Sequence, residues 1–219
     1  MKTKQRVLYF FMLLPLGVTL ASLFFLPAQI PAHYDFNNQV TRWGSKYETL
    51  IVPLCVIVFG FFMLGMAKYS AKQERNGRNN ENVCLVSGIG TLILFNAMTF
   101  YFLYTDFNKV ENLSSVSLDL HQMLFGIFGI FMIILGNIIP KVRMNSMIGL
   151  RTSWSMKNEM TWKKSQRFGG ITFIIGGIAA VAVSLFTKGM ACMVAVMSIF
   201  IVLLIADVYY TYHIAKKYG

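Results

Sequence analysis

Six long apolar runs decide what this chain can fold into. They fall at roughly Val7–Leu26, Thr49–Ala67, Val83–Tyr104, Leu118–Ile139, Ile171–Thr187 and Met190–Tyr210. A helix rising about 1.5 Å per residue needs about 20 such residues to cross about 30 Å of hydrocarbon. Backbone N–H and C=O groups in lipid must be paired within their own segment, so spans of this length are helical. The expected fold class is an all-α membrane protein, a bundle of six transmembrane helices. Composition agrees: 56% of the 219 residues are hydrophobic, 13% are charged, and the mean hydropathy is +0.57. Soluble domains are about a quarter charged. The first run follows Lys2, Lys4 and Arg6, as a signal peptide would. Its apolar core exceeds the usual ~7–15 residues, which points to a retained helix. The fifth run is the shortest, so its ends are the least defined.

The formal charge of +11 would suit nucleic acid. A membrane protein has a simpler reason for it, because Lys and Arg collect in cytoplasmic loops. The segments before the first span and after the second, fourth and sixth hold 16 Lys and Arg, against 4 in the others. This alternation places both termini in the cytoplasm and the loop Ile30–Lys46, "IPAHYDFNNQVTRWGSK", outside. The chain divides into a two-helix region at 1–67 with that outer loop, a connector and third helix at 68–117, and three helices with a long basic loop at 118–219. The connector "KYSAKQERNGRNNEN", Lys68–Asn82, reads as polar and mobile. Thr187, Lys188 and Gly189 leave room only for a tight turn between antiparallel helices. Gly176, Ala180 and Ser184, with Ala191 and Ala195 on the next helix, let two backbones come close.

Few residues invite chemistry. Cys55, Cys84 and Cys192 lie in or beside apolar runs without a CxxC or Cys/His pattern, and read as small packing residues. No GxSxG, P-loop or aspartate dyad occurs, and Gly88-Ile-Gly90 lies inside a span without phosphate-loop context. The expectation is a protein that is not an enzyme and carries no cofactor. His33, Asp35, Asp119 and His121 offer imidazole and carboxylate near the outer surface, the donor set zinc prefers, but without HExxH or comparable spacing. A metal-dependent enzyme built on His33, Asp119 and His121 stays as one alternative. A small transporter using Asn96 and Asp207 is another, although no internal repeat or paired broken helices support it. The amides of Asn96 and Asn137 are expected to join helices by hydrogen bonds. Asp207 is either a functional ionisable group or the partner of a basic residue in the long inner loop.

That inner stretch, Gly136–Gly170, is "GNIIPKVRMNSMIGLRTSWSMKNEMTWKKSQRFGG". Pro140 ends the fourth span. Lys141 and Arg143 suit the headgroup level, and Gly149 offers a turn. Ser155 is placed to cap a short helix over roughly Met156–Phe168, with Glu159 in its first turn. Trp154 and Trp162 suit the lipid interface. Attraction of an interfacial helix to anionic lipid explains the charges and the tryptophans, but not the density of specific polar residues.

The two polar stretches together resemble the SdpI family of six-span bacterial membrane proteins. Ile30, Pro31, His33, Gly44, Ser45 and Lys46 match the family's outer pattern, close to IPxHxxxxGxxDxxGSK. Pro140, Lys141, Asn145, Gly149, Arg151, Thr152, Trp154, Asn158, Glu159, Trp162, Lys164, Arg167 and Gly170 match its inner pattern, close to GxxxPKxxxNxxxGIRTPWTxxNExxWxKTHRxxG. Asn38 and Thr41 stand where the first pattern has Gly and Asp. Ser153 replaces a proline, and Ser165 and Gln166 replace a Thr-His pair. The resemblance implies immunity to a secreted antimicrobial peptide of the SDP cannibalism-toxin type, in the bacterial cell membrane. It further implies a toxin sensor that holds a cytoplasmic transcriptional repressor at the membrane, without direct nucleic-acid binding. On that reading Pro31, His33, Tyr34, Asp35, Trp43 and Lys46 meet the toxin. The inner motif of Pro140, Lys141, Asn145, Gly149, Arg151, Trp154, Asn158, Glu159 and Trp162 serves the cytoplasmic side, with Asn145, Arg151, Trp154 and Trp162 fixing the loop.

Overall fold

The computed structural model describes the backbone of residues 2–35, 37–73, 77–145 and 148–219, and their side chains except at 73 and 77–79. Six helices carry the chain: α1 (Lys2–Ser22), α2 (Ile51–Gln73), α3 (Gly77–Phe107), α4 (Leu120–Ile138), α5 (Glu159–Phe186) and α6 (Gly189–Tyr218). All six are long and apolar enough to cross a membrane. Phe10, Phe61, Phe62, Ile134, Val202 and Ile205 are among the large apolar side chains on their outward faces. Apolar surface of this extent is stable against lipid and unstable against water. The chain is a multi-pass membrane protein.

The α1, α2 and α3 helices pack around Leu8, Met12, Val56, Leu64, Leu85 and Leu92, all buried. Asn96 fastens α3 to α1: its Nδ2 donates to the Phe11 carbonyl at 2.8 Å and to its own Leu92 carbonyl at 2.7 Å. The amide joins two helices, as expected. Asn137 does not. It lies on the outer face of α4 and donates within its own helix, to the Ile133 carbonyl at 2.8 Å.

The α4, α5 and α6 helices form the second half. Here α4 and α5 meet backbone to backbone. A Cβ on Gly129 would stand 2.6 Å from the Gly177 carbonyl oxygen, and one on Gly136 would stand 2.6 Å from that of Gly170. The spacing of seven repeats the contact after about two turns on both helices. Ala180 of the small-residue face is buried with Cys192 and Val196 of α6, and Thr187 and Lys188 make the tight turn.

Three local expectations change. First, the fifth run is not a short span preceded by a separate helix over Met156–Phe168. It is one helix of 28 residues, about 42 Å long, so roughly its first third projects beyond the hydrocarbon. Gly169 and Gly170 do not break it, because Gly170 packs against Gly136 and Pro140. Its cap is Asn158, not Ser155. Second, the connector Lys68–Asn82 is helical on both flanks, to Gln73 and from Gly77; its centre, residues 74–76, lies outside the described residues. Third, the outer loop carries an antiparallel hairpin of β1 (Gln29–Tyr34) and β2 (Val40–Ser45). Ile30, Tyr34, Val40, Thr41 and Trp43 are the β-branched and aromatic types that favour strands. Backbone hydrogen bonds from Val40 N to the Glu111 carbonyl and from Leu113 N to the Asn38 carbonyl, each 2.9 Å, pin this hairpin to the α3–α4 connection.

Candidate functional site

The hairpin is seated by its closing residues. Ser45 and Glu48 form a capping box on the turn into α2. A Cβ at Gly44 would collide with Glu48 Oε1 and stand 2.7 Å from Ala32 Cβ, so a side chain there would displace the carboxylate from the capping box and press on β1. Arg42 grips the same carboxylate with both terminal nitrogens, at 2.7 and 3.1 Å, which pushes the guanidinium above its ordinary pKa. Lys46 Nζ reaches back to the Leu23 carbonyl at 2.7 Å, just past the end of α1, where the helix dipole favours a cation.

The hairpin tip is built from short polar bonds. The Asp35 carboxylate accepts from Asn37 N and Gln39 N, each at 2.9 Å, closing an Asx turn. Asn38 sits at φ +64°, a region glycine enters without strain. Its amide compensates by donating to Ser114 Oγ at 3.1 Å and Asp119 Oδ2 at 3.4 Å. The His33 ring nitrogen Nδ1 lies 2.6 Å from Thr41 Oγ1. Asn38 and Thr41 are the departures from the outer pattern. Asn38 stands in for a glycine at a left-handed position, and Thr41 stands in for an aspartate beside His33.

A cavity of about 680 Å³ opens between this hairpin and the ends of α2, α3 and α4. Pro31, His33, Tyr34 and Asp35 line it; Trp43 and Lys46 do not. Trp43 is exposed instead, and Lys46 is committed to α1. The Tyr34 hydroxyl donates to the Val110 carbonyl at 2.8 Å. Burial pushes the Tyr34 phenol above its ordinary value; a hydrogen bond with Thr105 opposes this, and the neighbouring Asp106 carboxylate adds to it. Asp106 is buried on the cavity wall. Among the described residues its carboxylate has no hydrogen-bond or ion-pair partner. Sequence reasoning passed over it as part of the short loop Thr105–Ser117 after the third apolar run. The signal was present: a lone acid at the end of an apolar run is a functional candidate by default.

The residues weighed as metal ligands do not gather. His33 is held by Thr41 and Asp35 by its own turn. Asp119 Oδ1 caps α4 by accepting from His121 N at 2.9 Å and Gln122 N at 3.3 Å, and it takes Gly189 N at 3.1 Å. His121 Nδ1 lies 3.3 Å from the same oxygen. Among the described residues no three His, Cys, Asp or Glu are placed to share a metal. The pair weighed for transport is also split. Asn96 ties α1 to α3, whereas Asp207 of α6 accepts from Thr172 Oγ1 of α5 at 2.9 and 3.1 Å. The partner of Asp207 is thus a hydroxyl, not a basic residue of the inner loop.

The inner motif forms a folded platform at the other end. Gln166, fully buried on α5, clasps Leu150 with both amide atoms: Oε1 accepts from Leu150 N at 2.8 Å and Nε2 donates to the Leu150 carbonyl at 3.0 Å. Its position matches a histidine in the family pattern, and an amide meets the same backbone twice. Gly149 at φ +109° brings Leu150 into this clasp; a Cβ there would stand 2.5 Å from Gln166 Oε1. Trp162 is buried and donates Nε1 to the Val142 carbonyl at 2.9 Å. Asn145 closes a turn, accepting from Ile148 N at 2.7 Å and donating to the Arg143 carbonyl at 2.7 Å. Ser155 Oγ donates to the Leu150 carbonyl at 2.8 Å. Asn158 caps α5 and ties it to the chain end, donating to the Tyr218 carbonyl at 2.7 Å. Trp154 packs edge-on against Tyr212, with ring centroids 5.4 Å apart. Arg151 differs from the rest. It is exposed and, among the described residues, makes no ion pair, so it does not fix the loop. With Lys141, Arg143, Lys163 and Arg167 it leaves a basic surface on a rigid base.

Two family models match the chain. The SdpI/YfhL protein family covers residues 141–210, and a domain of unknown function, DUF1648, covers residues 10–57. "Immunity protein SdpI" of Bacillus subtilis (strain 168) is 26% identical over 196 residues, spanning 88% of this chain and 86% of that protein. No solved structure matches.

Proposed function

We propose that this chain, a member of the SdpI/YfhL family, is a bacterial membrane immunity protein against a secreted antimicrobial peptide of the SDP type. The observation that carries the reading is the likeness to the Bacillus subtilis immunity protein along nearly the whole chain. In this reading both termini and the basic platform face the cytoplasm, in keeping with the Lys and Arg bias. The hairpin and its cavity face outward, where a secreted peptide arrives. The action is binding, not catalysis. Pro31, His33, Tyr34 and Asp35 shape the cavity mouth, and Trp43 offers an exposed aromatic contact.

The sensor role belongs to the same proposal. Arg151 and its basic neighbours offer an acidic surface of a cytoplasmic repressor a docking face. Toxin binding switches that face only if it favours one arrangement of the helices over another. The hairpin reaches the inner platform through α3, where Val83 packs with Val142 and Trp162. The test is photocrosslinking. A benzophenone amino acid at position 43 captures the challenge peptide from outside intact cells, and one at position 151 does not. Capture at neither position, with both variants present in the membrane, contradicts the outer-loop assignment.

A further inference from the structure

The cavity beneath the hairpin has mostly apolar walls, from Ile30, Val52, Phe102, Leu103 and Leu120. The charged and titratable groups that face it are nearly all committed elsewhere. Arg42 and Glu48 hold each other, Asp35 holds its turn and His33 is bonded to Thr41; His121 Nδ1 lies 3.3 Å from Asp119 Oδ1 without a hydrogen bond, and an imidazole, unlike a carboxylate, is neutral when it stands alone. Asp106 stands apart. It is 4% exposed, lines the cavity, and among the described residues its carboxylate meets no donor. A carboxylate removed from water without a donor is strongly disfavoured, and a cation placed against it relieves that penalty. No lysine or arginine of the described chain fills the role, since the cavity's only basic side chain besides its histidines, Arg42, is already paired.

We propose that the cavity is a binding site for a primary ammonium group carried on an apolar chain, with Asp106 as its counter-ion and Phe102, Leu103 and Leu120 receiving the carrier. The N-terminal amine of an apolar peptide and a lysine side chain share this chemistry. The proposal rests on the immunity reading only for the biological source of the amine; the site is defined by the cavity itself.

The experiment is isothermal titration of n-hexylamine into the full chain in phosphatidylcholine nanodiscs. Empty nanodiscs serve as the control for partitioning. Saturable one-to-one binding is expected, weakened about ten-fold or more by Asp106→Asn, the scale of losing a charge-assisted contact. Asp106→Glu retains measurable binding, and hexanol and hexanoate bind at least as weakly as hexylamine does to Asp106→Asn. Apolar pentapeptides then separate the sources: one with a free N-terminus, and one acetylated and carrying a single lysine. Equal hexylamine affinity for the normal chain and a cooperatively melting Asp106→Asn variant overturns the proposal, as does no binding to the normal chain. These results need no toxin. Failure here leaves an immunity function through other contacts standing, and failure of immunity leaves an amine site standing.

Discussion

Replacing Gly149 by alanine tests the inner platform at its tightest point. The residue sits at φ +109°, where a side chain costs about 1–3 kcal/mol in backbone strain. The new Cβ would stand 2.5 Å from Gln166 Oε1 and 3.2 Å from Trp162 Cη2. Gln166 cannot yield without giving up its two bonds to Leu150. A buried amide left unpaired adds about 1–3 kcal/mol. The sum is about 2–6 kcal/mol, or roughly 4–24 °C in melting temperature for a chain of this size. The assay uses a maleimide dye that fluoresces on reaching the buried thiols of Cys84 and Cys192, in a Cys55→Ala background because Cys55 is exposed. Gly65→Ala is the control: nothing lies within 4 Å of its Cβ position, and alanine favours helix by about 1 kcal/mol over glycine. It melts at or slightly above the parent. A Gly149→Ala chain that melts with the control refutes the clasp.

Other outcomes follow from the same geometry. Gly177→Val pushes α4 from α5 at the Gly129 contact and lowers stability by about 1–3 kcal/mol or more in the same dye assay. Asp119→Ala removes the α4 cap and the bond to Gly189; it costs about 2 kcal/mol and loosens the hairpin side of the bundle, read as faster proteolysis near Asn112. Tyr34→Phe tests burial of a raised phenol. The contribution of Tyr34 is fully present below its unfolded pKa near 10 and is lost as pH rises through the higher folded value. The stability difference between the parent chain and the Tyr34→Phe variant is therefore constant below about pH 10 and changes only above it. Arg151→Ala leaves melting unchanged, because the side chain is exposed and unpaired among the described residues; on the proposed sensor reading it weakens recruitment of a cytoplasmic repressor in a membrane-fraction assay.

Hydropathy made the six helices legible, because a span must be apolar over its whole length and pair its own backbone. It blurred what happens at the helix ends. Hydropathy divides the 28-residue α5 into a short polar helix over Met156–Phe168 and an apolar run from Ile171, because the composition changes there while the backbone continues; Gly170 marks a close approach of α4. The packing of Gly129 against Gly177 needs two helices to be placed before it has meaning. The hairpin was hidden because its strands alternate around Pro31 and a bulge near His33, which weakens any period-two signal. At the hairpin end, Pro31, His33, Tyr34 and Asp35 share one cavity, while Trp43 and Lys46 depart because strand pairing and a helix end claim them. Asp106 escaped notice for a positional reason. It follows the apolar run directly in sequence, and only the fold turns it inward beneath residues some seventy positions earlier.

The most direct test of the immunity account is survival. A toxin-sensitive bacterium expressing this chain is challenged with purified SDP-type peptide, beside a Pro31→Ala/His33→Ala chain present at equal membrane level. The account predicts that the normal chain protects and the double variant does not. Killing of cells that carry the normal chain at full membrane level would contradict it.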